Sequence, residues 1–144
     1  MGYGFPASLA AKLVFPEREA VCLAGDGCFQ MNGQEMATAV QYGLNIIVLV
    51  VNNGMYGTIR MHQEKNYPGR VYGTELKNPD FVALARAYGA YGERVERTDD
   101  FPEAFEKARS ENRPALLELV VDPEALTPNT TLSEFREIAS KRNG

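Results

Sequence analysis

A chain of 144 residues with 15 Lys and Arg against 19 Asp and Glu carries a formal net charge of −4. The two signs are interspersed, which argues against a nucleic-acid surface or an anionic-membrane surface. The length fits one domain over residues 1–144, and the longest apolar run, residues 46–51, is too short to cross a bilayer.

Residues 8–15 are apolar at helical spacing and stop before Pro16, so a first helix is predicted there. Residues 19–24, with Ala20, Val21, Cys22 and Leu23 contiguous, read as a buried strand that runs into Gly25-Asp26-Gly27. Asn32 with Glu35 three residues on reads as an N-cap and N3 pair, opening a helix to Tyr42. Gly43 supplies its C-cap. Residues 45–52 contain six consecutive β-branched or leucine residues and read as a strand buried on both faces.

Residues 53–74 are rich in Gly, Tyr and polar side chains and read as a loop with a short helix near 58–64. A long irregular segment of this kind is often functional. Asn78-Pro79-Asp80 starts a helix with Phe81, Leu84, Ala85 and Tyr88 on its buried stripe. A strand is predicted at 91–95. A helix capped by Asp100 and Glu103 follows, then a strand at 115–121 and a terminal helix at 132–141.

Strands alternating with helices give an α/β fold, a parallel sheet with helices on both faces. Right-handed crossovers put all strand C-termini on one edge, where such sheets bind ligands. Asp26 and Asn53 both follow predicted strands and so belong to that edge. Asp26 offers a hard anionic oxygen, and flanking Gly25 and Gly27 permit tight turns and close ligand approach. The following helix turns N–H groups toward the same space, which suits phosphate. Asn52-Asn53-Gly54 adds neutral amide oxygens. Such a set holds Mg2+ weakly alone and completes its octahedron with phosphate oxygens and water. Either tripeptide by itself is an ordinary turn. It is their joint placement after consecutive buried strands that points to a magnesium–diphosphate site.

Gly25-Asp26-Gly27, two dozen residues and then Asn52-Asn53 resembles the signature of thiamine diphosphate (ThDP) enzymes. The segments 28–39 and Met1-Gly2-Tyr3-Gly4-Phe5-Pro6-Ala7 are similar to the same family, and Asn78-Pro79-Asp80-Phe81 to its acetolactate synthase-like members. The resemblance implies the ThDP-binding fold of the diphosphate-type domain, as a fragment of a longer enzyme or one subunit of a split one. It implies Mg2+ ligated by Asp26, Asn53 and the Met55 carbonyl. Gly27 and Cys28 would present N–H groups to the diphosphate, and Tyr56 and Gly57 would line the same pocket. Met1 falls where the family keeps a large apolar residue under the cofactor. The implied activity is decarboxylation or carboligation of a 2-oxo acid, with the cofactor as electron sink.

The family's catalytic glutamate comes from a pyrimidine-binding domain, on the same or another chain, and no segment here resembles it. Glu35 reads as a helix cap and Glu64 as solvent-facing or part of a lid, so no catalytic acid or base is assigned. A homo-oligomer is expected of the complete protein. The alternative is a non-catalytic ThDP-binding module whose partner chain supplies the glutamate. A nucleotide- or flavin-binding domain is disfavoured by the lack of GxGxxG or a P-loop lysine. Thr58 and His62 stand where acetolactate synthases tend to carry Met and Trp, which leaves the substrate open. His62 reads as a polar lid residue or a substrate contact, and Arg60, Lys65 and Arg70 as a solvated face. Cys22, Cys28 and the single histidine have no zinc spacing. This cysteine usage and the absence of a visible secretory signal point to the cytoplasm.

Overall fold

The computed structural model describes residues 1–143. The chain divides into two compact units: Met1–Asn52 with Asn78–Val120, and Asn53–Lys77 with Val121–Gly144.

The first unit is built on four parallel strands in the order β1 (Val21–Gly25), β2 (Ile47–Asn52), β4 (Ala115–Val120) and β3 (Tyr91–Val95). The register pairs Gly25 with Val51, Val50 with Glu118, and Arg94 with Glu118. The side-chain alternation of a strand separates two cores. Cys22, Ala24, Val48, Val50 and Leu116 face one side, where they join Phe5, Leu9, Phe29, Met36, Phe81 and Ala85. These last residues come from α1 (Gly4–Val14), α2 (Asp26–Phe29), α3 (Met36–Gln41) and α5 (Phe81–Ala87). Ile47, Ala115, Leu117 and Val95 face the other side against Ala104 and Ala108 of α6 (Phe101–Ser110). The expected parallel sheet with helices on both faces is what the chain forms. The second face is covered unevenly: Leu23 on the edge strand β1 stays 69 % exposed.

Gly92 sets the spacing of α5 from β3. A Cβ there would sit 2.9 Å from the Val82 carbonyl oxygen and 3.3 Å from its Cα, which are backbone atoms that cannot swing aside. We expect Gly92→Ala to destabilise the protein by about 1–3 kcal/mol, the usual cost of overpacking. A fall in the urea midpoint at unchanged slope is the check.

Three local expectations differ from the structure. The helix predicted from Asn32 is interrupted. Asp26–Phe29 forms one turn, Gly33–Glu35 a 3-10 turn, and only then does α3 begin. The Asn32 side chain makes no cap bond; its NH2 donates to the Gly2 carbonyl, and the Glu35 carboxylate accepts from the Thr38 hydroxyl (2.7 Å). Asp80 rather than Asn78 caps α5, its Oδ1 accepting the Ala83 N–H at 2.8 Å. The Asp100 side chain makes no cap bond, and Glu103 pairs instead with Lys107 at 2.9 Å.

In the second unit, residues 53–56 and 74–76 close a small clasp. Tyr56 N donates to Thr74 O and Leu76 N to Gly54 O, both at 2.9 Å, around an antiparallel bridge between Met55 and Glu75. α4 (Gly57–Asn66) runs beyond both ends of the short helix predicted at 58–64. It packs on α7 (Leu132–Asn143). A capping box starts α7: Glu134 N donates to Thr131 Oγ1 (3.2 Å) while Thr131 N donates to Glu134 Oε2 (2.7 Å).

Candidate functional site

At the carboxyl end of β1, Gly25 is extended and Asp26 begins the single turn of α2. The turn is held from below by Phe29, which is almost fully buried. It lies edge-on to Phe81 with centroids 5.7 Å apart and against Phe5 at 5.3 Å. Gly33 lets this ring approach, because a Cβ there would meet Phe29 Cε1 at 2.9 Å.

Asp26 is 2 % exposed. Its Oδ1 accepts the Gly27 N–H at 2.8 Å, and its Oδ2 accepts from Asn78 Nδ2 at 2.7 Å. Both donors are neutral. A carboxylate offers hard anionic oxygens with about four lone-pair sites, the donor type that a hard divalent ion takes. The residues therefore fit a hard divalent ion. Among the described residues no three His, Cys, Asp or Glu side chains converge. A cation at Asp26 would thus complete its shell with neutral oxygens and ligand phosphate.

The parallel register carries β2 alongside, so Asn52 ends its strand one residue past the Gly25–Val51 pair. Asn78 Nδ2 also donates to Asn52 Oδ1 at 2.8 Å, and Asn52 Nδ2 donates to Glu118 Oε1 at 2.7 Å. Asn78 Oδ1 accepts from Gln30 Nε2 at 2.7 Å. Asn78 read as a helix starter in the sequence. Its position beside Asp26 had no local signal, because the contact spans 52 residues.

Gly27 is buried and Cys28 half-buried, both on the Asp26 turn. Met1 belongs to the same unit and is 63 % exposed. Asn53, Met55, Tyr56 and Gly57 lie together in the second unit. Asn53 Oδ1 accepts the Met55 N–H at 3.2 Å around Gly54, whose φ is +68°. Gly57 starts α4 in space a Cβ could not share, 2.8 Å from Asn53 Nδ2 and 2.9 Å from Leu126 Cδ2. His62 is exposed on α4.

Two sequence readings are corrected. Glu64 is buried rather than solvent-facing, and Arg60 is buried beside it rather than on a solvated face. Arg136 grips Glu64 from α7, Nη2 to Oε1 at 2.7 Å and Nε to Oε2 at 2.9 Å. This fork holds the Glu64 carboxyl down at about 2. Cys22 is a core thiol, as read, and burial raises its pKa.

A parallel α/β sheet with a buried aspartate in a Gly-Asp-Gly turn at its carboxyl edge defines a ligand-binding α/β domain. Residues 1–119 match the family model "Thiamine pyrophosphate enzyme, C-terminal TPP binding domain", and the chain belongs to that family. It is 39 % identical over 124 residues to the acetolactate synthase large subunit of Haemophilus influenzae, covering 85 % of this chain and 22 % of that protein. To the acetolactate synthase large subunit of Corynebacterium glutamicum it is 40 % identical over 131 residues, covering 87 % and 21 %. Among solved structures, the thiamine diphosphate-dependent 4-hydroxybenzoylformate decarboxylase of Rhodococcus jostii RHA1 superposes with a TM-score of 0.79 at 33 % identity, covering 85 % of this chain and 23 % of that one. The chain thus spans about a fifth of the length of the curated relatives it matches. No helix among the described residues is long and apolar enough to cross a membrane.

Proposed function

We propose that this chain holds Mg2+ and the diphosphate of ThDP for an acetolactate synthase-like enzyme that carries out decarboxylation or carboligation of a 2-oxo acid. The observation that carries this reading is the buried Asp26 carboxylate, oriented in part by Gly27 N–H and Asn78 Nδ2 at the sheet's carboxyl edge, in a chain of the ThDP family. When bound, the cofactor supplies an electron sink for the carboxylate-bearing carbon.

The chain's own residues bind and orient. Asp26, the Asn53 side chain and the Met55 carbonyl ligate Mg2+. Gly27 and Cys28 give backbone donors to the diphosphate, Tyr56 and Gly57 line it, and Met1 supports the rings. The Gly54 turn and the missing Cβ of Gly57 support this assignment, because they shape the Asn53 loop from within its own unit. The activating glutamate is supplied by a pyrimidine-binding domain of the same or another chain, and the working enzyme is a cytoplasmic homo-oligomer.

Calorimetry on the full-length protein tests the reading. ThDP should bind with Mg2+ present and lose most of its affinity when the metal is chelated. Pyruvate should then yield carbon dioxide with acetolactate or acetaldehyde. ThDP binding indifferent to chelation would remove the metal assignment, and no ThDP binding at all would remove the proposal.

A further inference from the structure

We infer that Asn78 is a positioning residue for the Asp26 metal ligand, wired through Asn52 to a buried anchor on Glu118. This rests on the reading of Asp26 as a Mg2+ ligand. The geometry behind it lies wholly within the first unit.

A carboxylate accepts and cannot donate. Asp26 and Glu118, each only 2 % exposed, stand at the two ends of the chain of bonds. Glu118 therefore obliges Asn52 to turn its NH2 toward Glu118 Oε1, at 2.7 Å. That leaves the Asn52 Oδ1 as the acceptor facing Asn78. Asn78 must then turn its own NH2 inward, where Nδ2 meets Asn52 Oδ1 at 2.8 Å and Asp26 Oδ2 at 2.7 Å. Its outward Oδ1 accepts from Gln30. These four bonds fit one orientation of each amide, NH2 of Asn52 toward Glu118 and NH2 of Asn78 toward Asn52 and Asp26. The flank of Glu118 is closed by Arg94, whose Nη1 lies 3.9 Å from Oε2.

One amide thus ties the turn after β1 to the end of β2. It fixes the Asp26 side chain through Oδ2 while Gly27 N–H fixes Oδ1. Asp80, not Asn78, caps α5, so the Asn78 side chain serves this contact and not the helix start. Groups that orient a metal ligand in this way are commonly worth 10- to 100-fold in metal affinity.

The test is calorimetric titration of Mg2+ into the full-length protein with ThDP present, for wild type, Asp26→Ala, Asn78→Ala and Gln30→Ala. Asn78→Ala should raise the Mg2+ Kd about 10- to 100-fold. Excess Mg2+ should restore ThDP binding to it, and the metal-free variant should show the circular dichroism of wild type, which separates weakened binding from a folding defect. Gln30→Ala, which loses only the exposed bond to Asn78, should shift the Kd in the same direction by a few-fold. This second variant keeps the test decisive if Asn78→Ala fails to fold. Asp26→Ala losing Mg2+ while Asn78→Ala stays within about twofold of wild type would overturn the positioning role alone. Asp26→Ala binding Mg2+ as wild type does would overturn the parent reading, and this inference with it.

Discussion

Asp26→Ala will lose Mg2+-dependent ThDP binding by about 10- to 150-fold. In the proposed set Asp26 is the one anionic protein ligand, and bonds to a charged group are worth about 1.5–3 kcal/mol each. A loss at the upper end is more than a hundredfold in affinity. The metal-free fold should suffer less. Removing a nearly buried carboxylate also removes its desolvation cost, though it leaves Asn78 Nδ2 and the Gly27 N–H without this acceptor. Thermal unfolding separates the two effects. Wild type should gain about 2.7 kcal/mol when the Mg2+–ThDP ligand is at 100 times its Kd, and a variant weakened about 100-fold only about 0.4 kcal/mol at the same concentration. A variant stabilised as strongly as wild type would show that Asp26 is no ligand.

The part of this site that could be read in the sequence is the part made by local chemistry. Runs such as Ile46 to Val51 announce buried strands, and the turn residues beside them mark the sheet edge. The parallel order then follows from packing, and Asp26 falls where the motif put it. What could not be read is made by side chains far apart along the chain. Asn32 with Glu35 has the spacing of a capping box, yet the Asn32 side chain is turned to a partner 30 residues away, donating to the Gly2 carbonyl, and makes no cap bond. A true box formed at Thr131 and Glu134, where the sequence reading placed only a helix. Asn78-Pro79-Asp80 signals a helix start in any protein, so composition could not separate the capping residue Asp80 from the site neighbour Asn78. Arg60 and Glu64 sit at i, i+4 on a segment that looks solvated. Only Arg136, 72 residues on, shows why they are buried.

The ion cluster of Arg60, Glu64 and Arg136 carries the second large effect. Glu64 is 1 % exposed and accepts four bonds, from Arg60 Nε, Arg136 Nε and Nη2, and the Gly69 N–H. It joins α4, the turn after it and α7 within the second unit. Glu64→Ala strands the Arg60 guanidinium in a buried place without its carboxylate, which costs about 3–5 kcal/mol. Arg136→Ala should cost less, since that side chain is 40 % exposed and Arg60 still pairs with Glu64. The pH dependence has a definite sign. The Glu64 carboxyl lies near 2 in the fold against an ordinary 4.5, first because of the Arg136 hydrogen bonds. A depressed carboxylate contributes stability above its unfolded pKa, and that stability is lost as pH falls through the folded value. The shift corresponds to about 3 kcal/mol at most, trimmed by water around the half-exposed Arg136. About three-fifths of it should be gone by pH 3. Urea unfolding of wild type and Glu64→Gln at pH 6 and pH 3 isolates this group from the other carboxylates. The gap between the two proteins should narrow by about 2 kcal/mol on acidification. A gap that stays constant would mean the carboxylate is not held ionised by its arginines. The clamp joining α4 to α7 would then rest on apolar packing, of which Leu132 and Ala139 are the buried residues on α7.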